Sequence, residues 1–421
     1  MQTLIVFLII FSIIVVIHEF GHFYFARRAG ILVREFAIGM GPKLFAKQGK
    51  DGTAYTVRML PMGGYVRLAG MNEEEEIRPG MEVGLQLDDQ NVVTSINTTD
   101  KVQVDELPVR VDQLDLVEGM TLAGIPMGET SPVTYTISKT AKIIEADGTV
   151  VQVAPLESRY ESASVWQKMM TNFAGPMNNF ILSIIAFTIV GFMLPSVPNT
   201  SSVVGTVIES SPAEQAGLQA DDKIIEIDGT KVSKWTEVTS TIQPRPGETL
   251  PIVIERAGET LSLEVEVKSV TAADGEQTIG QIGISASQTT DFMARITYGV
   301  ISTWGVLTGV LGVLVSMITS GFDINMFGGP VAMAEMTGEV VTQGFVTVTY
   351  FLAYLSANLG IVNLLPIPAL DGGKILMNVV ELFRGKPLSQ EKEGIITIIG
   401  VVFLLILMVA VTWNDISRAF F

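Results

Sequence analysis

The sequence has no cysteine in 421 residues. Disulfides are thereby excluded, and so are thiolate metal ligands, so any zinc site here must use histidine and carboxylate. Histidine is almost as scarce, with two in the chain. Charged residues make up 17% against 48% hydrophobic. That is too apolar for an ordinary soluble protein and too polar for a chain made only of membrane spans. One or two soluble domains fit beside a few membrane helices. The formal charge of −17 argues against a nucleic-acid partner. Positive charge is also missing from Met1-Gln2-Thr3, ahead of the first apolar run. With no small-residue cleavage site after that run, it reads as a retained membrane helix rather than a signal peptide.

The two histidines, His18 and His22, fall four apart, with Glu19 beside the first. Two histidines placed at random in 421 residues take this spacing in about 0.5% of cases, before the Glu is required. At i and i+4 both imidazoles lie on one helix face and can reach one ion. Glu19 stands where a carboxylate can take a proton from activated water, the H-E-x-x-H pattern of zinc peptidases. The plainer reading is a pair of buried histidines satisfied inside a helix bundle. Leu4–Ile17 is almost wholly apolar, however, and ionisable groups inside a membrane are usually functional. A metal held within such a span implies hydrolysis inside the bilayer, on a substrate itself embedded there.

Residues 1–26 form the first span, long enough to cross the hydrocarbon core. Arg27, Arg28, Arg34, Lys43, Lys47 and Lys50 follow it. The positive-inside rule therefore sets the N-terminus outside and residue 27 onward in the cytoplasm. Residues 27–76 are glycine-rich and alternate like strands, including Gly63, Gly64 and Tyr65. Either they form an ordinary cytoplasmic hairpin or an open strand edge that pairs with an unwound substrate. The run Glu73–Glu76 reads as a solvated face. Residues 77–172 read as a β-rich, acidic cytoplasmic insertion carrying no evident chemistry.

The second span, 173–195, opens on Gly175-Pro176-Met177-Asn178-Asn179. Its asparagines either bond a substrate backbone or pack against a neighbouring helix, and packing suits Asn178. Residues 199–285 follow the order of a PDZ domain of the bacterial protease type. Residues 290–344 read as amphipathic external helices and a connector. A crossing there would put Asp371 at the wrong face from His22. A third span within 345–374 ends in Asn358…Asn363-Leu364-Leu365-Pro366-Ile367-Pro368-Ala369-Leu370-Asp371. Two prolines break the helix, and such a break is tolerable at membrane depth only where buried or lining a cavity. Asp371 is the natural third ligand, or else a helix-capping residue. Asn358 and Asn363 either orient a substrate carbonyl or join helices. The fourth span covers 394–414, leaving the C-terminus outside.

These motifs resemble the bacterial site-2 proteases of the RseP type, the intramembrane zinc metalloproteases of regulated intramembrane proteolysis. The likeness runs nearly end to end: H-E-F-G-H in the first span, the glycine-rich hairpin, G-P-x-x-N, a PDZ domain, and N-x-x-P-x-x-x-L-D-G. It implies zinc held by His18, His22 and Asp371, with Glu19 as base. Asn179 falls on the family's Asn of the Gly-Pro motif and Asn363 on the Asn before its L-D-G motif; together with Asn358, Gly63, Gly64 and Tyr65 they are the candidates for substrate binding or oxyanion support. Expected partners are single-span membrane proteins, such as anti-sigma factors, or remnant signal peptides, in a bacterial inner membrane. Two departures stand out. There is one PDZ domain where relatives often carry two, and Lys374 stands where many have histidine. The rival classes are a metal-ion transporter using the same ligands and a non-catalytic PDZ-bearing scaffold.

Overall fold

The computed structural model describes residues 2–71, 77–99, 105–271, 278–319 and 321–420, so the acidic run Glu73–Glu76 lies outside the described residues. The chain divides into two compact units, residues 1–183, 327–344 and 354–421, and residues 184–326 and 345–353.

In the first unit, helix α1 (Gln2–Arg28) carries the histidine pair. It stops at Gly30, whose φ of +80° suits glycine, and Arg27 and Arg28 in its last turn complement the helix dipole. Helix α2 (Val165–Met193) starts eight residues before the expected 173, because Gln167, Lys168, Thr171 and Asn172 in its first two turns break up the apolar run that marks a span. Pro176 lies inside it and removes one helical hydrogen bond near the site.

Between these helices, β1 (Val33–Gln48) and β2 (Ala54–Leu68) form the hairpin. Both strands bend. Glu35–Ile38 take two sets of partners, Ala54–Val57 and Gly64–Arg67, while Phe45–Gln48 pair back onto Ala54–Val57. Gly39, Gly41 and Gly63 sit at the bends with φ above +80°, where a side chain would be strained. Gly64–Leu68 pairs with Val33–Ile38 on one side, and its other edge has no strand partner among the described residues. The far end exposes Met40, Leu44, Phe45, Met59 and Leu60.

The insertion proves to be a barrel. Strands β3 (Glu82–Leu87), β4 (Val93–Asn97), β5 (Leu107–Asp115), β6 (Thr121–Pro126) and β7 (Val133–Ile144) run in the order β4-β3-β5-β6-β7. A further pairing of β4 with β7 closes the ring, and β8 (Val150–Gln152) adds to β7 outside it. Leu85, Val93, Ile96, Val109, Leu122 and Ile137 fill the interior from alternate strand positions.

In the second unit, a four-stranded sheet (Thr230–Lys231, Lys223–Ile227, Thr249–Arg256, Glu259–Glu266) packs with helices α3 (Pro212–Gln215) and α4 (Trp235–Ile242) around Ile224, Ile227, Ile252 and Ile254. Val204–Val207 pairs with Ile284–Ala286. Helix α5 (Phe292–Thr319) follows. Its Arg295 closes the C-terminal end of α2, donating from Nη1 to the carbonyls of Gly191 (2.7 Å) and Leu194 (2.8 Å) and from Nη2 to that of Pro195 (2.8 Å). Those are the carbonyls a helix end leaves without partners.

Helices α6 (Pro330–Thr342), α7 (Phe345–Leu364), α8 (Asp371–Arg384) and α9 (Gln390–Phe420) complete the chain. Among the described residues, five helices (α1, α2, α5, α7 and α9) are long and apolar enough to cross a membrane. The expectation counted four and set residues 295–319 aside as external; by length and composition α5 belongs with the others.

Candidate metal centre

The centre is built where α1, α2 and the start of α8 meet. Histidines at i and i+4 present their Nε2 atoms 3.2 Å apart. Asp371 Oδ2 lies 3.1 Å from His18 Nε2 and 3.3 Å from that of His22. Bonds of about 2.0–2.1 Å at tetrahedral angles set ligand atoms about 3.3 Å apart, so the three atoms have the spacing of one face of a zinc tetrahedron. No other grouping of three such residues is found among the described residues. Asp371 Oδ2 is buried and makes no hydrogen bond. An orphaned carboxylate oxygen facing two imidazole nitrogens is costly unless a cation binds it. These residues fit a zinc ion.

The neighbouring groups set the ring states. His22 Nδ1 lies 2.8 Å from the Thr171 carbonyl. A carbonyl only accepts, so the proton sits on Nδ1 and leaves the Nε2 lone pair for a metal. His18 Nδ1 lies 3.1 Å from Asn179 Nδ2, while Asn179 Oδ1 is buried without a partner. Exchanging the two ends of that amide, which resemble one another closely, places Oδ1 against a protonated Nδ1 and frees Nε2 of His18 as well. Asn179 is fully buried, with its amide against the His18 ring. Asn178 packs as expected, donating to the Ile17 carbonyl at 2.9 Å.

Helices α1 and α2 touch here. A Cβ on Gly21 would lie 2.3 Å from the Ala174 carbonyl oxygen, so only glycine lets the two backbones touch. A Cβ on Gly175 would lie 2.4 Å from His22 Nε2 and 2.7 Å from His18 Nε2. Position 175 thus borders the space between the ligand atoms. Neither glycine was singled out from the sequence as a site residue, although the Gly-Pro pair was conspicuous.

Asp371 opens α8, after a break enforced by Pro366 and Pro368. Ala369 takes φ +81°, a strained value for a residue with a side chain. Gly372 and Gly373 pack onto the carbonyls of Leu364 and Ile367, 2.3 Å from where a Cβ would stand, which draws Asp371 toward α1. Glu19 lies within electrostatic reach of His18, His22, Asp371 and Lys374. Lys374, one turn after Asp371, places Nζ 4.0 Å from Met71 Sδ.

The remaining expected residues are placed differently. Asn358 donates to Tyr354 of its own helix at 2.9 Å, so its amide is used locally. Asn363 is half-buried in the last turn of α7. Gly64 approaches α1, where an added Cβ would lie 3.7 Å from Val15 Cγ1. The Tyr65 hydroxyl donates to Glu35 at 2.7 Å, which ties the side chain to the hairpin. Sequence reading also missed a buried network between α2 and α8. Lys168 pairs with Glu381 at 2.8 Å, and Tyr160 OH accepts from Asn172 (2.8 Å) and Asn378 (3.2 Å).

Known proteins agree with this chemistry. The model of the family described as Peptidase family M50 matches residues 6–407. A probable protease, eep, of Enterococcus faecalis is 48% identical, with all of both chains covered. A putative zinc metalloprotease of Lactococcus lactis is 46% identical over all of this chain and 99% of its own. Among solved structures, the PDZ domain of an SdrC-like protein from Listeria monocytogenes matches 21% of this chain and 90% of its own, at 24% identity and a TM-score of 0.18. With the family matched over nearly its whole length, and relatives of that similarity named zinc metalloproteases, the chain belongs to peptidase family M50 and is a zinc metalloprotease of the membrane.

Proposed function

We propose that the enzyme hydrolyses peptide bonds within the transmembrane segments of single-span substrates, anti-sigma factors or remnant signal peptides among them. His18, His22 and Asp371 hold the zinc in this reading. The convergence of their three ligand atoms, 3.1–3.3 Å apart, with both histidines on a helix of span length, is the observation that carries it. Bound zinc supplies a Lewis acid that makes water nucleophilic at neutral pH. The Glu19 carboxylate takes the proton from the attacking water and delivers it to the leaving amide nitrogen. The free edge of Gly64–Leu68 holds the substrate extended by adding it as a strand, and the apolar hairpin end rests in lipid.

In the same reading the arginines after α1 face the cytoplasm, and both termini and the PDZ domain lie outside. Packing within the first unit supports the matching levels of the two termini. Thr3 on α1 lies 3.8 Å from the position of a Cβ on Gly338 of α6, and Asp415 near the end of α9 accepts from Ala332 N at 3.1 Å. This topology has four crossings, so α5, though long and apolar enough to span, does not cross in it.

Replacing Glu19 with Gln tests the assignment. Zinc content should persist while cleavage of a tagged single-span substrate by detergent-purified protein disappears. Cleavage by Glu19→Gln at the wild-type rate, or by chelated wild type, would overturn it.

A further inference from the structure

The barrel was given no function above, yet the hairpin is fastened to it along its length. Arg34 Nη1 donates to the Gln152 carbonyl at 2.8 Å. Lys43 Nζ donates to the Asp147 carbonyl and to Thr149 Oγ1, each at 3.0 Å. Arg58 Nη2 comes within 4.0 Å of Asp147 Oδ2, and Arg67 makes an ion pair with Glu145. The four cations all come from the hairpin, one from each stretch of its two bent strands. The acceptors all come from the β7–β8 turn and β8. These side chains are mostly half-buried, with Lys43 18% and Arg58 14% exposed, unlike loosely solvated surface pairs. The barrel interior is closed by its own strands, so its folding does not need this contact.

Inside the hairpin the charge is passed on. Glu35, 1% exposed, accepts from Arg58 Nη2 and Tyr65 OH, each at 2.7 Å, and from Thr56 Oγ1 at 2.5 Å. The hairpin then meets α1 through Gly64 against Val15 and through Phe36 and Tyr55 against the Phe23 ring, 5.4 and 6.0 Å between centroids. Val15 stands one turn before His18. A continuous set of contacts thus runs from the β7–β8 turn to the metal helix.

We propose that the barrel is a brace for substrate presentation: Glu145, Asp147 and Thr149 are positioning residues that fix the hairpin edge at the depth of the metal centre. This rests on the reading of that edge as the substrate-holding strand. Releasing the brace weakens capture of the extended substrate and leaves zinc and the hydrolytic step in place.

The test uses the full chain in detergent with a model single-span substrate. The double change Glu145→Arg with Asp147→Arg should raise KM about tenfold, with zinc content and kcat near wild type. Glu145→Arg combined with Arg67→Glu, which exchanges the charges of that one bridge, should bring KM back to near wild type. An unchanged KM, a loss confined to zinc or kcat, or no rescue overturns the proposal. Because the chain lacks cysteine, Lys43→Cys with Asp147→Cys can be joined by a short bismaleimide without background. Retained cleavage after joining supports the brace, and abolished cleavage shows that the hairpin must leave the barrel. Hydrogen exchange across residues 33–68 should quicken in Glu145→Arg with Asp147→Arg, and unchanged exchange overturns the brace even if the wild type proves unable to cleave. Failure of the wild type to cleave, with exchange altered as expected, counts against the proteolytic reading and spares the brace.

Discussion

Gly175→Ala adds a single methyl to the α2 face that borders the ligand atoms. Its carbon would stand 2.4 Å from His22 Nε2 and 2.7 Å from His18 Nε2. An ordinary contact needs about 3.5 Å or more, so one or both imidazoles, or α2, must retreat by about 1 Å. Metal–ligand bonds tolerate about 0.2 Å. The backbone of α2 has little room to withdraw, because Asn178 and the Thr171 carbonyl hold it to Ile17 and His22 at 2.9 and 2.8 Å. Losing partners beyond the ligands themselves already costs about 10–100-fold in metal affinity. Displacing a ligand outright should exceed that. Zinc per protein is then expected to fall well below one after dialysis against a weak chelator, and cleavage to fall with it. Folding should survive, since alanine is favoured over glycine inside a helix by about 1 kcal/mol. Gly305→Ala on α5, where a Cβ meets nothing within 4 Å, is the control and should be neutral. Full zinc occupancy and full activity in Gly175→Ala would refute the placement of the ion between these three atoms.

Asn179→Ala should weaken zinc binding about 10–100-fold, whereas Asn179→Asp, which keeps an acceptor for His18 Nδ1–H, should retain it; chelator competition separates the two. Lys168→Met leaves Glu381 buried without its partner and should cost about 3–5 kcal/mol. Lys168→Met combined with Glu381→Leu should recover most of that, read from thermal unfolding in detergent.

Much of the site was legible because its chemistry is rare in this chain. Two histidines at helical spacing inside an apolar run leave few alternatives, and a carboxylate after a proline-broken span joins them in one cluster. What stayed hidden is what contacts across the chain decide. Thr171 offers only a backbone carbonyl, which every residue has, so nothing in the sequence marks it as the partner of His22. Asn178 and Asn179 are adjacent and identical in type, yet one secures a helix and the other a ligand, because they point about 100° apart around α2. The barrel escaped notice because closure depends on β4 meeting β7 across some forty residues, a pairing that strand alternation does not encode. Lys168 and Glu381 are separated by 213 positions, and each alone looks like a solvated charge.

Tyr65 illustrates how the hairpin can be tested apart from the metal. Burial, and then the hydrogen bond donated to Glu35, push its phenol above the usual value of 10. A folded-state value above the unfolded one means that its contribution is fully present below pH 10 and is lost only as pH rises through the raised value. Tyr65 therefore stays a donor at every pH at which the enzyme works and cannot shape a rate profile near neutrality. Tyr65→Phe removes one of the donors to a buried carboxylate, a change of about 1–3 kcal/mol. The hairpin should loosen and KM should rise, while the pH dependence of cleavage between 6 and 9 keeps its form. A shifted or reshaped profile in Tyr65→Phe would show instead that the phenol exchanges a proton during turnover, and would return it to the reacting groups.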